Sequence, residues 1–137
     1  MRSRTIGIAA LAATAATAVA GCGGSSPGPN AKNFSGEQRK AAQVIDDLTA
    51  ASRAGDTKKI CTKIFTPQFA VAVARRNKVS CQQRVQKVLV NKNEKITITQ
   101  LAVQSPNAVA QVQEQNGSVS RLTLLKQNGV WHVDGIQ

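Results

Sequence analysis

The chain has no tyrosine, one histidine and one tryptophan, and its three phenylalanines bring the aromatic share of 137 residues to only 3%. Any core it builds must therefore be mostly aliphatic. It also lacks a C-x-x-C pair, the cysteine and histidine spacing of a zinc site, a glycine-rich phosphate loop and a serine-nucleophile elbow. No motif for metal, thiol-redox, phosphoryl-transfer or acyl-transfer chemistry is present, and no cofactor is expected. The single histidine, His132, would share a strand face with Asp134 through i, i+2 spacing, the placement of a base and its orienter. On the outer face of a terminal strand, opposite Trp131 and Val133, the pair reads instead as two solvated side chains. Asp46 and Asp47 are consecutive on a helix, about 100° apart, and cannot converge. Asp47 could line the open end of a pocket, and a solvated helix face is the stronger reading for it. No enzyme is expected.

What is present starts at the N-terminus. Arg2 and Arg4 precede an apolar run from Ile6 to Ala18, too short for a resident membrane helix. The run ends at Val19-Ala20-Gly21-Cys22, which resembles the lipobox of bacterial lipoproteins. The resemblance implies that the Cys22 thiol carries diacylglycerol and that cleavage makes Cys22 the first mature residue. Two acyl chains would then hold the protein on the extracytoplasmic face of the cell membrane. The alternative is an ordinary secretory signal cut after Ala18-Val19-Ala20, which leaves Cys22 a free thiol. Residues 1–21 are accordingly read as signal peptide, 22–34 as lipidated cysteine and flexible Gly/Ser/Pro tether, and 35–137 as one small domain.

Three cysteines are an awkward number for an exported chain. With Cys22 given to the lipid, Cys61 and Cys81 remain as a pair in an oxidising compartment, and a disulfide between them is expected.

The domain reads as helices followed by strands. Ser35 and Gln38 have the spacing of a capping box, and Ala41, Val44, Ile45, Leu48 and Ala51 follow at helical intervals up to Gly55. Asp56 caps a second helix that buries Ile60, Cys61, Ile64 and Phe65. Thr66-Pro67 opens a third, with Phe69 and Val73, that fades at Arg75-Arg76. Ser80 and Gln83 box a fourth, with Cys81, Val85, Val88 and Leu89 as its apolar stripe. A Cys61–Cys81 bridge would pin the second helix to the fourth. From Glu94 the period becomes two, and the phase slips between Ile98 and Leu101, predicting a bulge near Gln100. Ser105-Pro106-Asn107, Asn116-Gly117 and Asn128-Gly129 separate four strands. The expected class is α+β, with N-terminal helices packed on a curved four-stranded antiparallel meander.

The opening helix that ends at Ala54-Gly55-Asp56, the cysteine-bearing helices and the closing Gly129-Val130-Trp131-His132-Val133 together resemble the nuclear-transport-factor-2-like superfamily, and its small bacterial lipoproteins in particular. The resemblance covers about residues 35–137 and implies a cone-shaped fold whose sheet wraps the helices and leaves a pocket at its open end. Enzymes of that superfamily, isomerases and dehydratases, resemble one another in using a pocket aspartate with tyrosine or histidine partners, and this chain has no tyrosine. A non-catalytic binding or structural domain of the envelope is expected. The alternatives are a pocket enzyme of that kind and a basic docking module.

Charge is the sharpest remaining feature. Removing Arg2 and Arg4 from the 18 basic residues leaves 16 against 7 acidic. Residues 22–56 and 96–137 each balance. The excess falls within 57–95, on Lys58, Lys59, Lys63, Arg75, Arg76 and Lys78, then Arg84, Lys87, Lys92 and Lys95, opposed only by Glu94. Arg75 and Arg76 complement a helix C-terminus, whereas Lys58 and Lys59 sit in a first turn where anions are preferred. The expected partners are the membrane, through Cys22, and an anionic lipid or cell-wall polymer, through Lys58, Lys59, Arg75, Arg76, Lys78, Arg84 and Lys87. Nucleic acid is not expected, because no aromatic side chains interleave the cations.

Overall fold

The computed structural model describes residues 26–137. The leader, the lipobox and Cys22 lie outside the described residues. Helices come first: α1 (Gly36–Ala54), α2 (Thr57–Lys59), which runs on into a π-helical turn (Ile60–Ile64), α3 (Pro67–Asn77) and α4 (Cys81–Val88). Four strands follow, β1 (Ile96–Gln104), β2 (Asn107–Glu114), β3 (Val119–Gln127) and β4 (Val130–Ile136). They pair antiparallel in the order β1-β2-β3-β4. The expected α+β meander is the observed fold.

Local chemistry explains most of the boundaries. Asp56 accepts the Lys59 amide, Thr66 accepts the Phe69 amide ahead of Pro67, and Ser80 and Gln83 form both halves of a capping box. Gly55 ends α1 in the left-handed region at φ 70°. Ser35 departs from expectation. It occupies the N-cap of α1 without a side-chain bond, and the Gln38 amide reaches instead toward the Leu101 carbonyl.

The core lies between α1, the α2–π segment and one face of the sheet. Ile45, Leu48, Ile60 and Phe65 meet Ala110, Val112, Leu124 and Val133, all buried. The bulge in β1 falls between Ile98 and Gln100, so Ile98 and Leu101 can both turn inward. A second irregularity, between Thr123 and Leu124 of β3, faces Gly135 of β4. There the Thr123 hydroxyl occupies the space a side chain would need. The apolar stripe of α4 is narrower than its sequence implies, for Val88 is half exposed.

The largest departure concerns the tether. Residues 28–33, read as flexible linker, are fastened to the domain. Ala31 is fully buried and Asn30 nearly so, and a 3₁₀ turn covers Ala31–Asn33. The anchor is Asp46, which is itself buried rather than solvated. Its carboxylate accepts the Ala31 amide (2.8 Å), the Asn30 amide (3.2 Å) and the Asn30 side-chain Nδ2 (2.8 Å). Asn30 continues to the edge of the sheet, donating to the Ile96 carbonyl and accepting the Ile98 amide, both at 2.8 Å. One asparagine side chain thus takes the place of a strand residue beside β1. Gly28 is needed here, since a Cβ would collide with the Asp46 carboxylate. Among the described residues the fastened segment starts at Gly28, and the core cluster and the disulfide use none before it.

A second cross-link joins α1 to the far side of the sheet. Glu37, in the first turn of α1, receives Lys126 (2.8 Å), Lys40 (2.9 Å) and the Trp131 indole N–H (3.1 Å). Trp131 is buried. The Lys126 ammonium, and then Lys40 and Trp131, lower the Glu37 pKa from 4.5 to about 2. A depressed carboxylate stabilises the fold above its unfolded pKa, and that contribution disappears as pH falls through the folded value. The emission of Trp131, the single tryptophan, is expected to change in an acid titration with a midpoint near pH 2. Glu37→Gln should abolish that step, and a midpoint near 4.5 would show the contact to be absent.

Candidate functional site

The sequence excess of positive charge maps onto one structural unit, the hairpin of α3 and α4 with the α2–π segment beneath it. Cys61 in the π turn and Cys81 at the start of α4 form the expected disulfide, with Cα atoms 6.1 Å apart. The bridge ties the two cysteine-bearing helices as anticipated. Lys78 closes α3 in the left-handed region at φ 52° and leads to the Ser80 cap, so α4 begins beside the end of α3.

Lys58, Lys59, Arg75, Arg76, Lys78 and Lys87 are all exposed, and Arg84 is half-buried. Among the described residues both salt bridges belong to Glu37, with Lys40 and Lys126. None of the seven cations has a carboxylate partner within 4 Å. The structure does not gather them into one point. Lys58 and Lys59 lie in α2, Arg75 and Arg76 in the last turn of α3, and Lys87 in the last turn of α4. The Asp56 carboxylate accepts the Lys59 amide (2.9 Å), so the first turn of α2 already holds its own anion.

Arg76 and Arg84 do share one feature. Both line a groove of about 680 Å³ between α3, α4 and the end of β4. Its α3 wall carries Phe69, Val73 and Arg76, one helical face at near-four-residue steps, and its α4 wall carries Arg84, Val85 and Val88. Phe65, stacked obliquely on Phe69 with ring centroids 4.7 Å apart, and Ile136 complete the apolar lining. Arg76 belongs to the last turn of α3 and Arg84 lies one turn into α4, so the groove receives one arginine from each helix. Asp134 lines the groove toward the start of α3, where it accepts the Thr66 hydroxyl at 2.6 Å. A second depression, of about 550 Å³, lies on the outer face of β1 and β2 and is lined by Gln100, Gln104, Asn107, Gln111 and Arg121 among others.

His132 and Asp134 are on the outer strand face, as expected, and each is engaged separately. His132 Nδ1 lies 2.9 Å from the Lys63 carbonyl, so that nitrogen carries the proton, and Asp134 is held by Thr66. No hydrogen bond joins the two among the described residues. Among the described residues no three metal-ligating side chains cluster, and no helix is long and apolar enough to cross a membrane. The groove was not anticipated from the sequence. Its signal was available in Val88, an apolar residue on a short polar helix, one turn from Arg84.

Comparison with protein-family models, with curated proteins and with solved structures finds no match. Function must be argued from these residues themselves.

Proposed function

We propose that this protein is a lipid-anchored, extracytoplasmic, non-catalytic binding domain of the bacterial cell envelope, built on a cone similar to the nuclear-transport-factor-2-like fold. Its α2–α4 unit meets an anionic envelope component, lipid headgroups or cell-wall polymer. The observation that carries this reading is the set of solvent-exposed cations spread over α2, α3, the α3–α4 turn and α4 with no carboxylate partner among the described residues. Proximity supports it. Because the chain is fastened again at Gly28, the six steps from Cys22 reach at most about 20 Å. A domain so leashed is held within reach of the bilayer, where each basic side chain contributes about 1 kcal/mol against an anionic surface.

Two measurements test the two halves. Mass spectrometry of the membrane-extracted protein should find Cys22 as the first residue, bearing diacylglycerol. A chain starting at Gly21 in the aqueous fraction overturns the anchor. For the surface, the chain from Gly23 to Gln137 should sediment with phosphatidylglycerol vesicles at low salt and not with phosphatidylcholine vesicles. The triple variant R75Q/K78Q/K87Q, which leaves the groove intact, should bind about a hundredfold more weakly, from three contributions of about 1 kcal/mol. Equal binding of parent and variant removes the docking reading.

A further inference from the structure

We propose that the groove between α3, α4 and β4 binds a single-chain acyl anion, a fatty acid, with its carboxylate between Arg76 and Arg84. The proposal deepens the binding-domain reading by naming a ligand class, and it does not depend on lipid anchoring. Three observations converge on it.

The first is volume and lining. At about 680 Å³ the groove falls within the range of small-molecule sites, and its walls are apolar with a few polar groups at defined places. Phe69 and Val73 are only partly buried, and Val88 is 50% exposed. The protein has left these side chains in water although α3 and α4 are short helices that need all the burial available to them. A chain of methylenes laid along them would remove that surface from solvent.

The second is polarity along the groove. Arg76 and Asn77 line the groove from the last turn of α3 and Arg84 from one turn into α4, and Asp134 lines it beside Thr66, at the start of α3. Asn77 Nδ2 is already committed to the Val73 carbonyl, at 2.7 Å, which leaves the two guanidinium groups as the charged donors of the groove, beside the neutral amides of Gln68 and Gln137. Each presents a planar fork of N–H groups suited to a carboxylate. Asp134 repels an anion from the opposite end, so a carboxylate head has one favourable orientation. A cation or a neutral polar head finds no comparable partner at the arginine end.

The third is rigidity. The Cys61–Cys81 bridge fixes the start of α4, Thr66 and Ser80 cap both helices, and the Thr66 amide donates to the Val133 carbonyl at 2.9 Å. The walls are set before a ligand arrives, which lowers the ordering cost of binding.

The test uses dodecanoate as probe and dodecanol as its neutral counterpart, each titrated below micelle-forming concentrations into the Gly23–Gln137 chain and followed by calorimetry. One equivalent of dodecanoate should bind, at least tenfold more tightly than dodecanol. R76Q/R84Q should reduce dodecanoate to the affinity of dodecanol and leave dodecanol unchanged. Both substitutions are at solvent-reached helical positions where glutamine is well tolerated, and unchanged circular dichroism would confirm the fold. V73Q should weaken both probes. R75Q/K78Q, which removes the same charge away from the groove, should leave dodecanoate binding intact while weakening attachment to vesicles, so this proposal and the surface-docking reading fail separately. Dodecanoate binding that survives R76Q/R84Q, or that falls equally in R75Q/K78Q, overturns the assignment. So does a groove found covered by a second copy of the chain, seen as a dimer in sedimentation that R76Q/R84Q leaves intact and V88K dissolves.

Discussion

Replacing Asp46 by alanine is expected to lower the unfolding free energy by about 3–5 kcal/mol, a loss at the top of the range for single substitutions. The carboxylate receives three donors in a buried setting, two backbone amides and the Asn30 side chain. Removing it strands all three, and stranded buried donors cost about 1–3 kcal/mol each, with incomplete additivity. Asn30 would then lose its grip on Ile96 and Ile98, so damage should spread to the edge of β1. Asp46→Asn should be nearly as harmful. Both carboxylate oxygens are acceptors here, and an amide nitrogen at either place faces a donor. Equilibrium denaturation gives the free energy, and hydrogen exchange should show protection lost first at residues 28–33. A change under about 1 kcal/mol would mean that the segment detaches and rehydrates without consequence.

Removing the disulfide is the other large perturbation. Cys61 and Cys81 are 20 residues apart, and closing a loop of that size stabilises by about 3 kcal/mol in the chain-entropy treatment. C61A/C81A should lower the unfolding free energy by that amount, bring the denaturation midpoint down and raise the denaturant slope, because the open unfolded chain exposes more surface. Reductant should reproduce the effect in the parent and do nothing to the variant. A parent whose midpoint ignores reductant would show that the bridge constrains neither state. The consequences should be concentrated on α4, an eight-residue helix too short to persist on propensity alone.

The parts of this fold that are legible in the sequence are those whose causes are local. Asp56, Thr66 and Ser80 each cap a helix with an amide three residues on, and the slip of apolar phase after Ile98 marks the β1 bulge. Asn128 and Gly129 both adopt positive φ, the requirement of a two-residue hairpin. At the earlier Asn-Gly pair only Gly117 does so, and its amide returns to the Glu114 carbonyl in a longer turn. The parts that escaped have distant causes. Asp46 sits one step from Ile45 and four from Ala42, at the margin of the buried stripe, but its partners are backbone amides in a segment of linker-like composition. Backbone donors leave no signature in residue identity. Glu37 looks like an ordinary first-turn acid, and its partners Lys126 and Trp131 lie 89 and 94 residues away. Of the candidate site, the basic composition was visible, whereas the groove that Arg76 and Arg84 share depends on the angle at which α3 turns into α4.

The two margins of the sheet share a property that bears on how such a molecule meets its own copies. Asn30 occupies the hydrogen-bonding positions of Ile96 and Ile98 on one side, and Phe65 with Thr66 lies against Val133 on the other. Strands whose flanks are spoken for offer less purchase to a neighbour seeking to join the ladder. Partial cover of this kind, at Ile96 and Ile98 on one margin and Val133 on the other, shortens the stretch of open edge on which a second molecule could build a strand.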